Sequence, residues 1–340
     1  MHKIIVAGCG NMSNRWIDII KKRDDCKITG LVDVNIEAAK LKNEKYELSA
    51  SVYNNITAAL EKENANLVID VTIPQSHYDI VTTALKAGCD VFGEKPMSDS
   101  LANAEKMVEC AETAKKEYFV MQNRRYIPGI CALRDFLKSG QLGKPGHISA
   151  DFRLGPHFGG FRDEMDNPLI ADMAIHTFDQ ARLITGKKAV SVYCHEFNPS
   201  WSWYRGNANA VAIFEMDDGS VFDYRGSWCE TGLITSWESE WRVDCANGAV
   251  FWDGDSIIHY DTAGGTVKTK IPLSDAEDST VKKIKPVEME ITGHNACINE
   301  MFNALKNHTR PQTDCRDNIN SIRMVYRAIE SAKTGKKLQL

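Results

Sequence analysis

Three side chains in this sequence have the types and settings that proton and charge transfer require: Lys95, Asp172 and His176. Lys95 stands in Glu94-Lys95-Pro96, directly after the apolar run Asp90-Val91-Phe92-Gly93, which places it at the carboxyl end of an expected strand. Lysines in turns are ordinarily solvated. The strand-end setting, where open α/β sheets bind their ligands, argues for a role here. Asp172 and His176 belong to Asp172-Met173-Ala174-Ile175-His176-Thr177-Phe178-Asp179, and on a helix their i, i+4 spacing puts them on one face. A carboxylate one turn away orients an imidazole or favours its charged form. An ammonium that steadies a developing oxyanion and an imidazole that accepts a proton together suit removal of a hydroxyl proton. His176 is thus the expected general base and Lys95 the stabilising cation. Asp172 positions His176 or holds a neighbouring hydroxyl.

The elements that must position these groups begin at the N-terminus. Lys3-Ile4-Ile5-Val6-Ala7 reads as a strand that breaks into Gly8-Cys9-Gly10-Asn11-Met12-Ser13 and then a helix. Gly8 allows a sharp turn, Gly10 leaves no side chain between loop and pyrophosphate, and Ser13 is small enough for the helix to approach the strand. The N–H groups of the helix start, at Asn11 and Met12, face phosphate. A second strand ends in Asp33, whose carboxylate is placed to accept hydrogen bonds from adenosine ribose hydroxyls. Strands and helices then alternate, as a parallel sheet requires. Leu67 to Val71 is nearly all apolar and ends in Thr72-Ile73-Pro74-Gln75-Ser76-His77, so Thr72 lies at the ligand edge, where His77 is either a cofactor contact or a helix cap. A helix capped by Ser98 leads to strand Tyr118 to Met121, with Asn123 and two arginines, Arg124 and Arg125, at its end. The arginines suit a polyhydroxy or anionic ligand, and at least one reads equally well as a surface residue.

The texture changes after a helix from Ile127 to about Ser139. Asp218-Gly219, Asn247-Gly248, Asp253-Gly254 and Gly264-Gly265 separate β-rich segments, which predicts an antiparallel meander. Trp237 to Cys245 alternates mostly apolar with charged residues, as a strand with one packed face does. Tryptophans are dense in this half. Most should fill the core, and Trp201-Ser202-Trp203-Tyr204-Arg205 reads as a loop that touches substrate or a neighbouring subunit. Two helices close the chain, one capped by Thr292 and one from Asp314 to Thr334, and they can pack back on the first domain. The expected organisation is a dinucleotide-binding domain over 1–123 and a substrate and oligomerisation domain over 124–340.

With 340 residues, 43% hydrophobic and 26% charged, the chain can bury two ordinary cores. A net charge of -5 with interspersed signs offers no stripe for nucleic acid and no polybasic membrane patch. No apolar run is long enough to span a bilayer and no export signal is legible, so a cytoplasmic setting is expected. The ten cysteines include no C-x-x-C pair, which fits reduced structural thiols, Cys9 included, and no metal site.

Gly8-x-Gly10-x-x-Ser13, Asp33, Glu94-Lys95-Pro96, Asn123-Arg124 and Asp172-x-x-x-His176 together resemble the glucose-fructose oxidoreductase, inositol dehydrogenase and MocA family over nearly the whole chain. The resemblance implies an N-terminal doubly wound Rossmann domain and a C-terminal α/β domain with a large open antiparallel sheet, commonly used for dimers or tetramers. It implies NAD(P)-dependent oxidation or reduction of sugars, polyols or inositol-like rings. Glu94 would belong to the cofactor site. His157 and Arg162, within Gly155 to Arg162, fall in the stretch that closes over nicotinamide and substrate in relatives, so both join Arg124 as substrate-binding candidates. Asp33-Val34-Asn35, with no arginine for a 2′-phosphate, favours NAD over NADP. Two other activities occur among such relatives: glycoside cleavage by transient oxidation with retained NAD, and non-catalytic sugar regulation. The presence of Lys95, Asp172 and His176 argues against the second. An imine or bilin-type reductase is a further class, against which Asn123, Arg124, Arg125 and His157 favour a hydroxyl-rich ligand.

Overall fold

The computed structural model describes residues 1–262 and 281–340; the expected Gly264-Gly265 turn lies outside the described residues. The chain divides into two compact units, 1–123 with 293–322, and 124–292 with 323–340.

The first unit alternates β1 (His2–Ala7), α1 (Met12–Ile20), β2 (Cys26–Val32), α2 (Ile36–Tyr46), β3 (Ser51–Tyr53), α3 (Ile56–Glu63), β4 (Leu67–Asp70), α4 (Pro74–Lys86), β5 (Asp90–Gly93), α5 (Leu101–Ala114) and β6 (Tyr118–Val120). The sheet order is β3-β2-β1-β4-β5-β6 with every pair parallel. Helices cover both faces, so β1 and β4 are buried along nearly their whole length. The strand order reverses between β1 and β4, the switch point where such sheets bind ligands. Side-chain caps start α2 and α3, with Asn35 accepting from Glu37 N and Asn55 from Ala58 N. The α5 cap is Ser100, which accepts from Asn103 N, rather than the expected Ser98. Ser98 is buried in the preceding turn and donates to Asp99 Oδ1.

The second unit contains α6 (Pro128–Lys138), β7 (Pro145–Arg153), a π-helical turn Leu169–Ala174, α7 (Ile175–Thr185), β8 (Ala189–Phe197), β9 (Asn209–Met216), β10 (Val221–Ser227), β11 (Glu240–Cys245), β12 (Gly248–Trp252), β13 (Ile258–Thr262) and β14 (Lys282–Ile284). Its nine-stranded sheet has the order β14-β13-β12-β11-β7-β10-β9-β8-β15, with β15 at Leu338–Gln339. It is mixed, not a pure meander: β10 pairs parallel to β7, because the β8-β9-β10 hairpins follow α7 and return to β7 in its own direction. The alternating segment from Trp237 becomes strand only at Glu240, since Glu238 N is tied to Ser236 Oγ in a turn. Phe178 of α7 packs edge-on against Phe214, Phe222 and Tyr224 of the sheet, and Trp228, Trp241 and Trp252 are fully buried, whereas Trp201 and Trp237 are exposed.

Two helices, α8 (Gly293–Asn307) and α9 (Cys315–Thr334), precede β15. The stretch 293–322 belongs to the first unit, where Thr313 O accepts from Val120 N beside β6 and Phe302 packs on Phe92. Among the described residues no helix is long and apolar enough to cross a membrane.

Candidate functional site

The turn after β1 demands glycine at its first position. Gly8 has φ of +92°, and a Cβ there would lie 2.4 Å from the Val71 carbonyl oxygen. Gly10 is different: a Cβ on it would meet nothing within 4 Å, so the missing side chain leaves a cradle beside the loop. The Gly10 carbonyl accepts from Ser13 Oγ at 2.7 Å and Lys42 Nζ at 3.0 Å. Ser13, in place of a third glycine, is buried and closes the turn. Asn11 precedes α1 without a side-chain cap, which leaves the first N–H groups of the helix, from Met12 on, for a ligand. Asp33 directly follows β2, against this loop, with Oδ2 accepting from Cys9 N and Oδ1 from Asn35 N, each at 2.8 Å. An open cradle beside Gly10 and a carboxylate fixed at its lip fit the pyrophosphate and ribose of a dinucleotide. Burial and the nearby Asp33 push the Cys9 thiol up to about 12, which keeps it an inert part of the loop.

At the ends of β4 and β5, His77 and Glu94 are both buried and hydrogen-bonded within the domain. His77 is buried on α4, where it bonds Asp70 Oδ2 through Nδ1 at 2.7 Å; Thr72 Oγ1 donates to Asp70 Oδ1 at 2.6 Å. No side chain caps α4, so His77 holds the β4–α4 loop from beneath and leaves Thr72 half-buried at the edge. Burial alone would lower the His77 pKa; the bonded Asp70 carboxylate, with Glu94 and Asp99, turns the net shift upward. Glu94 is likewise buried, accepts from Trp16 Nε1 at 2.7 Å, and is raised by burial despite Trp16 and Lys95. Lys95 follows it, half-buried, ahead of a cis bond to Pro96. Asn123 is half-buried at the start of a 3₁₀ turn.

In the second unit Asp172 and His176 do not share one plain α-helix. Asp172 sits in the π-helical turn and His176 in the first turn of α7, and both are buried. π-helical turns occur often at functional sites. Asp172 Oδ2 accepts from Arg162 Nε at 2.7 Å, which joins two candidates from separate loops. Gln180, one turn after His176, donates to Glu238 Oε2 at 2.8 Å, and Glu238 lies 3.6 Å from Arg124. Arg124 also donates to the Trp237 carbonyl and faces the Trp237 ring. Burial raises the Glu238 carboxyl against the pull of Arg124. His157 bonds Asp163 through Nε2 at 2.9 Å and stacks on Trp203. Tyr204 and Arg205 brace the same loop through Pro156 O and Asp166, so the Trp201 to Arg205 segment has an internal partner.

Neither arginine after Asn123 is a solvated surface group. Arg125 is buried in a two-pronged pair with Asp179, Nε to Oδ2 and Nη2 to Oδ1 both at 2.7 Å. Gln180, Trp237 and Glu238 were not singled out by the sequence for this site. The i, i+4, i+8 run of polar residues Asp172, His176 and Gln180 signals only the first of them. Glu238 needs the folded turn before β11.

Residues 2–122 match the family model for an oxidoreductase family with an NAD-binding Rossmann fold, and residues 130–251 match the GFO/IDH/MocA C-terminal domain. The chain is 26% identical to a D-apiose dehydrogenase of Paraburkholderia graminis over 343 residues, covering 98% of this chain and 88% of that protein. It is 24% identical to the D-glucoside 3-dehydrogenase of Escherichia coli over 363 residues, covering 99% of this chain and 97% of that protein. The fold matches an Agrobacterium radiobacter oxidoreductase crystallised with NAD+, L-tartaric acid and magnesium, with a TM-score of 0.85 at 21% identity over 99% of this chain and 98% of that one. With both halves matched in order, the chain belongs to the GFO/IDH/MocA family of NAD-binding Rossmann-fold oxidoreductases.

Proposed function

We propose that the protein is an NAD-dependent dehydrogenase that interconverts a secondary alcohol of a sugar, polyol or inositol-like ring and the corresponding ketone. The observation that carries the reading is the open cradle beside Gly10 with Asp33 fixed at its lip. Gly8, Gly10, Asn11, Met12, Asp33 and Thr72 would hold the dinucleotide, with His77 and Glu94 supporting the loops and Asn123 and Lys95 at its reacting end. Asp33, followed by Val34 and Asn35, presents negative charge where a 2′-phosphate would need a cation, which favours NAD over NADP. The names of the two dehydrogenase relatives support a sugar-like substrate.

Bound NAD would supply the two-electron acceptor for oxidation at the alcohol carbon. In this chain His176 takes the hydroxyl proton, and Lys95 stabilises the negative charge that develops on the alcohol oxygen. Asp172, steadied by Arg162, positions His176 or holds an adjacent hydroxyl. Arg124 and His157 contact the rest of the ring. Replacing Lys95 with Met should lower turnover far more than it changes NAD affinity, measured by calorimetry and steady-state kinetics. Unchanged turnover would contradict the role given to Lys95.

The open face of the nine-stranded sheet supports a homodimer or homotetramer. Tyr193 pairs with Ile213 across β8 and β9, and with Phe197 and Val211 they expose apolar surface. Light scattering of wild type and Ile213→Lys checks this, with the variant expected to shift to smaller species.

A further inference from the structure

A buried cation stands behind the glycine loop. Lys42, on α2, is 7% exposed, and its ammonium donates to the Gly10 carbonyl at 3.0 Å and to Asn14 Oδ1 at 2.5 Å. Both acceptors are neutral. Asp18 and Asp33 reach Lys42 only as longer-range charges, and among the described residues no carboxylate forms an ion pair with it. An ammonium taken from water is costly unless an opposite charge completes its surroundings.

We infer that Lys42 is a positioning residue of the dinucleotide site, supplying a buried positive charge that the phosphates of the cofactor complete. The inference rests on the dinucleotide reading of the glycine loop. Its lever is the Gly10–Asn11 peptide. In a trans peptide the carbonyl and the N–H point opposite ways. Lys42 and Ser13 hold the Gly10 oxygen on one side, so the Asn11 N–H is presented on the other, at the N-terminus of α1 where anions bind. Lys42 therefore fixes a donor and adds charge, without itself touching the ligand. Burial and Lys45 lower the Lys42 pKa, as an ammonium without a close counter-ion should show.

The alternative role is a pin between α1 and α2, made through Asn14. The two roles separate by the phosphate content of the ligand. Dissociation constants for adenosine, ADP and NAD would be measured on wild type, Lys42→Met, Lys42→Arg and Asn14→Ala, with thermal melting alongside. Lys42→Met should weaken ADP and NAD by about 10-fold, the scale of a lost charge-assisted hydrogen bond, while adenosine changes less than about twofold. Lys42→Arg should restore most of the loss, and Asn14→Ala should keep near-wild-type NAD affinity. Should Met disturb the fold, Lys42→Gln removes the charge and should show the same phosphate-dependent loss. Equal losses for adenosine and ADP, or none, would overturn the inference. A wild type that binds neither ADP nor NAD would instead overturn the dinucleotide reading beneath it.

Discussion

Asp33 Oδ2 accepts the backbone N–H of Cys9 at 2.8 Å, so the acid that follows the second strand is locked to the glycine loop that follows the first. Its other oxygen accepts from Asn35 N, which fixes the carboxylate at both ends. The acid therefore shapes the loop against which the proposed dinucleotide would lie.

Asp33→Ala should raise the Michaelis constant for NAD by about 10-fold or more while changing turnover much less, because it removes charge-assisted hydrogen bonds made away from the reacting carbon. Steady-state kinetics with NAD varied checks this. An unchanged constant would remove the ribose role.

The two glycines of the loop should fail differently. Gly8→Ala forces a Cβ against Val71 O at a left-handed φ and should lower stability by about 1–3 kcal/mol or more. Gly10→Ala meets no protein atom and should melt within a degree or two of wild type, roughly the size of a neutral surface change. It should nevertheless lose NAD affinity, because its methyl group occupies the cradle. Melting curves paired with NAD titration distinguish the two.

The first unit was legible because parallel strands between helices are continuous apolar runs, and because the glycine loop and Asp33 sit at fixed distances along the chain. The strand bounds at Asp90–Gly93 follow directly from such signals. What the sequence hid are partnerships between distant residues. Arg125 looks like any helix-start arginine until Asp179, far along the chain, folds against it. The π-helical turn at Leu169–Ala174 has the same residue pattern as an α-helix and differs only in its backbone ladder. The parallel pairing of β7 with β10 depends on how a connection returns, which local alternation does not encode.

Arg125 and Asp179 form a buried pair, and removing one partner leaves the other charge stranded. Asp179→Asn or Arg125→Met should each lower stability by about 3–5 kcal/mol in denaturant unfolding. The double variant should cost less than the sum of the single changes.

Glu196, on β8, is buried and accepts from Asn167 Nδ2 at 2.9 Å, in the loop that leads to the π-helical turn. Burial raises its pKa to about 8 against the opposing pull of Asn167 and Lys333. The folded chain then keeps a proton that the unfolded chain releases, so this contribution to stability is complete below pH 4.5, declines as pH rises, and is gone above about 8. Glu196→Gln should flatten that decline by about 1–3 kcal/mol, read from unfolding at several pH values. A wild-type profile with the same slope as the variant would contradict it.

In the proposed reaction His176 takes the proton from a ring alcohol as NAD is reduced. The most direct measurement follows reduced-nicotinamide absorbance while wild type and His176→Ala are offered NAD with inositols, aldoses, alditols and glycosides. Turnover by the wild type on at least one ring alcohol is expected, with a loss of roughly 10²-fold or more in the variant. Silence across the panel, or a variant that turns over like the wild type, would contradict it, and release of sugar from a glycoside without reduced cofactor would point to cleavage by transient oxidation.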